Sequence, residues 1–191
     1  MLATGSEFIK HGMMSVETAI GKLLDDDAEE IHMLVYSFGD PDLLEPLKLL
    51  AGQGKKIVIV VSNVENIKEN HEQVYEILEE INREKQVTIS DFKDFWHCYK
   101  CDSRLHGADE KDKHIRETGH KMKDYPTGYL HAKTIVKNRN EMIVGSSNFT
   151  KGGLQNYYEL GVYIKGIECS DMAEMIDSIA HDDKLTEILP K

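Results

Sequence analysis

Long apolar runs, basic charge and cysteine are all scarce in this 191-residue sequence. No run approaches the roughly 18–20 apolar residues that span a bilayer, and the first residues lack the continuous hydrophobic core of a secretory signal. The net charge of −11 argues against a basic coat that binds nucleic acid nonspecifically. Only three cysteines are present, an odd number that argues against a disulfide framework and favours a reducing compartment. These absences predict a cytoplasmic protein without a membrane anchor.

The first residues have two interpretations. GSEF, at residues 5–8, is typical of a vector remnant, whereas EFIKHGM, at residues 7–13, is equally suited to a native first strand. The sequence alone leaves both interpretations open.

The length and the order of elements predict one α/β domain over residues 1–191. Apolar runs typical of buried strands occupy residues 30–38, 55–63 and 86–90. Helical patterns occupy residues 15–26, 40–54 and 65–85. Ser15 and Asp40 are the predicted N-caps of the first two helices. Because right-handed crossovers join such strands in parallel, this half predicts a parallel sheet with helices on its faces.

The strand pattern resumes after a polar stretch at residues 93–127. Further strands are indicated at residues 128–136, 141–147 and 156–164. The first two form a predicted hairpin, because Asn138 and Asn140 suit its turn. A last helix over residues 168–182 has Ser170 as its predicted N-cap.

The first strand of that hairpin carries an unusual pair of side chains. Alternation places His131, Lys133 and Ile135 on one face, so an imidazole and an ammonium project side by side. Burying both without an anionic partner is costly, which indicates that an anion binds there. The turn GSSNFT that ends the next strand can add the side chains of Ser146 and Asn148 and free backbone N–H groups. A nucleophilic nitrogen among such groups suits a phosphodiester.

The segment HAKTIVKNRNEMIVGSSNF resembles the HxK(x)4D(x)6GSxN signature of the phospholipase D superfamily. The residues at its positions are His131, Lys133, Gly145, Ser146 and Asn148. Glu159 stands where the family places a downstream glutamate. Asn138 replaces the usual aspartate, whose role in the family is structural, so the change concerns local stability rather than chemistry. The upstream half also resembles the family, which implies an α/β/α sandwich with a mixed, mostly parallel central sheet.

The resemblance implies a metal-independent phosphodiesterase that acts through a covalent phosphohistidine. His131 would attack phosphorus while Glu159 orients its imidazole, as the carboxylate of a triad does. Lys133 and Asn148 would stabilise the nonbridging oxygens, with Ser146 as a further candidate. One histidine cannot also protonate the leaving oxygen on the far side of phosphorus. Single-motif members solve this by forming homodimers, so the resemblance predicts a homodimer through the active-site face.

The polar stretch at residues 93–127 is predicted to be a zinc-binding insertion. A Cys2His2 spacing is formed by Cys98, Cys101, His114 and His120. Two thiolates and two imidazoles close a tetrahedral shell, so the metal would be structural and would order a segment without its own core. His97 and His106 are alternative ligands. A redox cysteine pair and an incidental polar loop are the other interpretations, although the strand-to-helix turn that redox chemistry expects is missing. The zucchini-type, single-motif branch of the superfamily bears a similar insertion.

Within the superfamily the sequence favours a nuclease, which is expected to be an endonuclease that prefers single-stranded DNA or RNA. Residues 93–127 carry eight Lys/Arg against seven Asp/Glu. Trp96, Tyr99 and Tyr125 lie among them and are predicted to stack on unpaired bases. A cardiolipin-type phospholipid hydrolase is the alternative, and it would need an apolar membrane-approaching patch that the sequence does not indicate. A non-catalytic nucleic-acid-binding module is a third class, against which the intact motif argues.

Overall fold

The computed structural model describes residues 1–9, 12–62 and 64–191, and within these ranges its main element is a nine-stranded mixed sheet. The strands in chain order are β1 (Leu2–Ala3), β2 (Met14–Ser15), β3 (Glu30–Val35), β4 (Lys56–Ser62), β5 (Val87–Phe92), β6 (Phe95–Cys98), β7 (Ser103–His106), β8 (Lys133–Lys137), β9 (Glu141–Gly145), β10 (Leu160–Lys165) and β11 (Thr186–Ile188). Across the sheet the order is β11-β5-β4-β3-β8-β9-β10-β1-β2, while β6 and β7 pair in a separate hairpin. The predicted α/β class with a mixed central sheet is confirmed.

Parallel pairing is concentrated at the centre of the sheet. Strand β4 lies parallel to both β3 and β5, as the first half of the sequence predicted. Strand β1 is also parallel to β2. The pairs β3–β8, β8–β9 and β9–β10 are antiparallel. The central strands are rich in Ile and Val and buried on both faces, which is typical of parallel strands covered by helices.

Helices cover both faces of the sheet. They are α1 (Ser6–Ile9), α2 (Val16–Leu23), α3 (Leu44–Gly52), α4 (Val64–Asn70), α5 (Glu72–Asn82), α6 (Ala108–Thr118) and α7 (Glu168–Ala180), with a 3-10 turn at Pro41–Leu43 and a π-helical turn at Gly152–Asn156. Helices α2, α3 and α5 bury their apolar residues against one face, and α7 packs on the other. This is the predicted α/β/α arrangement.

Two predicted N-caps are observed. The side chain of Ser15 accepts from the backbone N–H of Thr18, and that of Asp40 accepts from Asp42. The helix predicted over residues 65–85 is instead two helices, which meet at His71 in a non-helical conformation. Asparagine and histidine are weak helix formers, and the break lets both α4 and α5 bury apolar residues.

The last helix begins where the sequence placed it, but its predicted N-cap was wrong. Helix α7 begins at Glu168, directly after the turn at Gly166, so Ser170 lies in its first turn and its N–H bonds to the carbonyl of Ile167. The strand-to-helix turn, rather than a serine side chain, therefore fixes where the helix starts.

The first residues also differ from the prediction of a strand over residues 7–13. Residues 6–9 are helical, while Lys10 and His11 lie outside the described residues. Asn63, the last residue of the second predicted strand, lies outside them as well. The longest described helix, α7, has 13 residues, so no helix in the described ranges is long and apolar enough to cross a bilayer.

The carboxyl ends of the parallel strands and the start of β8 share one edge of the sheet. Lys133 of β8 pairs with Val35, Val35 pairs with Val61, and Val61 pairs with Asp91. These four residues form a row across four neighbouring strands. In open α/β sheets this edge is where ligands bind, and it is where the histidine–lysine pair lies.

Candidate active site and metal centre

His131 lies just before the strand in which the sequence placed it. The predicted strand over residues 128–136 is shorter in the structure, since β8 begins at Lys133. The backbone N–H of Tyr36 donates to the carbonyl of Ala132 at 3.0 Å, which holds the residues just before β8 against the end of β3. The imidazole of His131 is exposed, with the rings of Tyr36 and Tyr129 at 5.0 and 6.0 Å. An attacking group in this position is open to substrate.

Lys133 is a buried cation beside that histidine. Its side chain is 6 % exposed, its Nζ donates to the carbonyl of His131 at 2.9 Å, and it lies 5.1 Å from the centroid of Tyr36. Burial lowers the pKa of Lys133, and the charge of Glu159 partly offsets this. Among the described residues no carboxylate forms an ion pair with Lys133. An anion arriving at this point would therefore meet an ammonium that the fold leaves unneutralised.

Ser146 and Glu159 form a hydrogen-bonded pair at the ends of β9 and β10. The hydroxyl of Ser146 donates to the carboxylate of Glu159, and its backbone N–H donates to the carbonyl of Leu160 at 3.1 Å. The backbone of Glu159 is fixed on the other side by Thr4, whose Oγ1 accepts from it at 3.1 Å. Within the described residues the carboxylate is bonded to Ser146 and not to His131, although the sequence predicted that it orients the imidazole.

Asn148 lies in the loop that follows β9, where two glycines allow close backbone approach. Its buried Oδ1 and the buried Oγ of Ser147 have no hydrogen-bond partner in the described part of the chain. A Cβ on Gly153 would lie 2.5 Å from the carbonyl oxygen of Asn148, and one on Gly145 would lie 2.9 Å from the carbonyl oxygen of Leu160. The glycine of the motif therefore lets β9 and β10 approach, and Gly153 supports the loop that presents Asn148. Sequence reasoning missed Gly153 and Thr4, because no motif spacing points to them.

Asn138, which replaces the usual aspartate, ties the β8–β9 hairpin to the start of β3. Its Oδ1 accepts from the backbone N–H groups of Glu29 and Glu30 at 2.8 and 3.0 Å, and its Nδ2 donates to the carbonyl of Asp27 at 3.3 Å. Asn138 and Arg139 both have positive φ, of 50° and 57°, and are the central residues of a turn in which the N–H of Asn140 donates to the carbonyl of Lys137 at 3.1 Å. An amide oxygen accepts these two bonds as a carboxylate would.

The cysteine–histidine cluster has the geometry of a metal site. The ligand atoms of Cys98, Cys101, His114 and His120 all lie within 4.8 Å of one another. Two sulfur–nitrogen distances, Cys98 to His120 and Cys101 to His114, are 3.3 and 3.6 Å. Tetrahedral zinc with ordinary bond lengths separates a thiolate and an imidazole by about 3.5 Å. These four residues could therefore hold a metal ion.

The environment of Cys98 favours its thiolate. Burial raises the pKa of this thiol, but the backbone N–H of Lys100 and the side chains of Cys101 and His114 lower it more strongly, to about 6. The two alternative histidines lie elsewhere: His97 contacts Asp102 at 2.7 Å, and neither His97 nor His106 belongs to the cluster. The donor set thus fits the chemistry of a zinc ligand shell.

The segment that carries this cluster borders the site. Strands β6 and β7 and helix α6 occupy most of residues 93–127, which the sequence analysis treated as a polar stretch of little periodicity. Phe95 and Gly128 form a β-bridge, with the N–H of Phe95 donating to Gly128 at 2.9 Å. Thr127 Oγ1 accepts from the N–H of His97 at 2.6 Å. These bonds fix the segment three residues before His131.

The aromatic residues of this segment do not share one environment. Tyr99 and Tyr125 are 75 % and 60 % exposed, and the Nζ of Lys123 lies 5.1 Å from the Tyr125 ring. Trp96 is only 9 % exposed, with Lys111 over its ring. Trp96 therefore does not lie on the exposed surface with the two tyrosines, because β6 turns this ring inward.

Comparisons with known proteins agree with this geometry. A family model described as cardiolipin synthase, PLD-like domain, matches residues 21–180. NucT from Helicobacter pylori aligns with a TM-score of 0.62 at 13% identity, over 92% of each chain. Nuc from Salmonella typhimurium, a phospholipase D family member, aligns with a TM-score of 0.60 at 17% identity, over 92% of this chain and 91% of that one. Phosphatidylserine synthase from Haemophilus influenzae aligns with a TM-score of 0.56 at 13% identity, over 91% of this chain but 37% of that chain. None of the curated proteins matches the sequence.

Proposed function

The chain belongs to the phospholipase D superfamily as a PLD-like domain, and we propose from this premise that it is a nuclease that cleaves single-stranded nucleic acid. The observation that carries the proposal is the exposed imidazole of His131 beside Lys133, a buried ammonium that forms no ion pair within the described residues. A phosphodiester supplies both the electrophile and the anion that this pair requires.

The proposed reaction has two displacements at phosphorus. The imidazole of His131 attacks and forms a P–N bond while the P–O bond to the leaving strand breaks. Lys133 and Asn148 stabilise the charge on the nonbridging oxygens. Water then attacks the phosphohistidine, the P–N bond breaks, and the imidazole is released. Glu159 supplies negative charge near Lys133. The hydroxyl of Ser146 donates to this carboxylate, so the role of Ser146 is to hold Glu159 in place. The family resemblance assigns this chemistry to residues alone, without a catalytic metal.

A second subunit would supply the proton for the leaving oxygen. Within the described residues, which leave out His11, the rings that contact His131 are those of two tyrosines and no second imidazole. Exposed apolar side chains surround the site, among them Tyr129 at 56 %, Tyr158 at 62 % and Leu160 at 46 %. Exposed apolar patches of this kind mark interaction surfaces. A homodimer through this face would place the same histidine of the second subunit opposite His131.

We assign residues 93–127 to a zinc-binding insertion within a single domain of residues 1–191. Cys98, Cys101, His114 and His120 would form a closed shell, so the ion would order the insertion rather than react. Reduced thiolates at this site also support a cytoplasmic location.

Two observations favour nucleic acid over phospholipid. The insertion beside the site exposes Tyr99 and Tyr125 among basic residues, which suits unpaired bases and phosphates. The chain also covers nearly all of NucT and Nuc, but only 37% of phosphatidylserine synthase. A cardiolipin-type hydrolase is the second candidate, since the matching family model is described as a cardiolipin synthase, PLD-like domain, which points to the same lipid class.

The test is to incubate the purified protein with single-stranded DNA, RNA, duplex DNA and cardiolipin vesicles, each with and without EDTA. We expect cleavage of a single strand that survives EDTA. His131→Ala should lower turnover by about 10³-fold or more while leaving the circular dichroism spectrum intact. His181→Ala, an exposed histidine after α7, is the matched control and should retain activity. Hydrolysis of lipid alone, or full activity in His131→Ala, would refute the proposal.

The dimer is tested separately. Light scattering should give twice the monomer mass, and Leu160→Glu should shift the protein to a monomer of the same fold with little turnover. A monomeric wild type that is fully active would contradict the shared site.

A further inference from the structure

A cleft separate from the histidine–lysine pair opens between the carboxyl end of β5 and the β6–β7 hairpin. Its volume is about 520 Å³, within the roughly 300–1,000 Å³ typical of small-ligand sites. It contains none of the proposed catalytic residues or metal ligands. Asp94, one of its lining residues, is joined to β4 through the hydroxyl of Ser62 at 3.5 Å. The cleft is thus built from the main sheet on one side and the insertion on the other.

Two buried polar atoms of the lining residues lack partners. The indole N–H of Trp96 and the Nδ1 of His106 have no hydrogen-bond partner in the described ranges of the chain. Trp96 is more than nine-tenths buried and lines the cleft. Buried polar groups are nearly always hydrogen-bonded in folded proteins, and each exception calls for an explanation. A ligand in the cleft provides one.

The hydrogen-bonding groups of the cleft are mainly acceptors. Asp91, Asp94 and Glu187 contribute carboxylates. Burial raises the pKa of Asp94, although the hydrogen bond from Ser62 acts in the opposite direction. The ammonium of Lys93 is engaged with the carbonyl of Asp183 at 3.4 Å and with Glu187 at 4.0 Å. A ligand that donates hydrogen bonds therefore fits better than an anion.

Four ring-bearing side chains contribute to the lining of the cleft: Phe92, Trp96, His106 and Pro126. Ring side chains together with a few polar groups suit a planar heterocycle, because bases stack on aromatic side chains. The combination of ring side chains and an excess of acceptors fits a base that carries an exocyclic amino group.

The cleft lies on the same edge of the sheet as the histidine–lysine pair. Asp91, which lines it, is three strands from Lys133 in the row that crosses β8, β3, β4 and β5. Three strand spacings of roughly 4.8 Å amount to about 14 Å. A single strand whose phosphate lies at His131 can cover this distance with a few nucleotides.

We propose that this cleft is a specificity subsite for one unpaired base of the substrate strand, and that it favours cytosine, adenine or guanine over uracil or thymine. The proposal rests on the proposed nuclease function. The exocyclic amino group donates to the carboxylate of Asp94, while Trp96 donates its indole N–H to a ring nitrogen or carbonyl of the base. Uracil presents a carbonyl where cytosine presents the amino group, so two acceptors, this carbonyl and the carboxylate of Asp94, would face each other.

Trp96 makes the test direct, because it is the only tryptophan of the chain. Cytidine and uridine, which differ at this one position, are titrated into the wild-type protein while the indole fluorescence is recorded. We expect a saturable change with cytidine and an affinity for uridine at least about tenfold lower. Adenosine and inosine form a second matched pair with the same expected order.

The variants separate the cleft from other base-binding surfaces. Asp94→Asn should reduce the preference for cytidine over uridine to less than about threefold, since an amide both donates and accepts. Glu76→Gln, on the exposed face of α5, should keep the wild-type preference. Equal responses to both nucleosides, no saturable response to either, or saturation by Mg²⁺ without a response to cytidine would overturn the proposal. Nucleosides contain no phosphodiester, so these outcomes are independent of whether His131 supports cleavage.

Discussion

Replacing Asn138 by alanine should destabilise the protein without removing any group that contacts substrate. The side chain accepts two backbone N–H groups, from Glu29 and Glu30, and donates to the carbonyl of Asp27. Alanine makes none of these bonds, so the start of β3 and the β8–β9 turn lose their direct side-chain connection. Asn138 also has a φ of 50°, a left-handed conformation that asparagine tolerates better than alanine.

The expected loss follows from these contacts. Each of the two accepted hydrogen bonds contributes about 0.5–1.5 kcal/mol net, and the left-handed backbone adds about 1 kcal/mol for alanine. The free energy of unfolding should therefore fall by about 2–4 kcal/mol. For a protein of this size, each kcal/mol shifts the melting temperature by about 2–4 °C. Asn138→Asp keeps an oxygen that accepts both hydrogen bonds, so its free energy of unfolding should stay within about 1 kcal/mol of the wild-type value.

Urea unfolding followed by circular dichroism measures the loss. Asn140→Ala is the matched control, since Asn140 is an exposed residue of the same turn whose side chain has no hydrogen bond in the described structure. Hydrolysis of a small phosphodiester, measured at a temperature where every variant is folded, should be within about twofold of wild type. The reasoning is refuted if Asn138→Ala unfolds at the wild-type urea concentration, or if Asn138→Asp is as unstable as the alanine variant.

Three further predictions concern the metal centre, the loop and the core. Cys98→Ser should lower bound zinc from about one ion per chain to near zero, as measured by plasma emission spectrometry, and should expose residues 93–127 to limited proteolysis. Gly153→Ala should lower turnover by at least about tenfold. Its Cβ would lie only 2.5 Å from the carbonyl oxygen of Asn148, so the loop that presents Asn148 would have to move. Burial lowers the pKa of His32 in the folded state, so the unfolded chain takes up its proton first as the pH falls below about 6.5. The free energy of unfolding should therefore decrease from about pH 7 to about pH 5, and His32→Asn should flatten that slope.

Each of these predictions has a control within the chain. Cys169→Ser, on the buried face of α7, should keep its zinc, and zinc retained in Cys98→Ser would remove that residue from the ligand shell. Gly52→Ala, with open space around its Cβ, should leave turnover unchanged, and equal effects at Gly52 and Gly153 would contradict the loop argument. His181→Gln should keep the pH slope of the wild type, and an identical slope in His32→Asn would show that another group titrates.

Local patterns predicted the elements more reliably than their ends. The buried strands β3 and β4 were indicated by apolar runs, since a strand covered on both faces has no polar side. The break at His71 and the N-cap of α7 were missed, because the break between α4 and α5 and the turn at Gly166 follow from how the helices fit the sheet. The four candidate metal ligands were predicted from spacing, and the structure brings those side chains together.

The sequence by itself determined the superfamily and the candidate chemical groups of the site, because the HxK and GSxN residues lie close along the chain and their spacing can be read without the fold. It also determined the donor set of the metal centre. Only the tertiary structure decided that Ser146 binds Glu159, that Trp96 lies inward, and that the cleft at Asp94 shares an edge with Lys133. Those contacts join residues that are distant in sequence, and strand order and register, which no local pattern encodes, place them together.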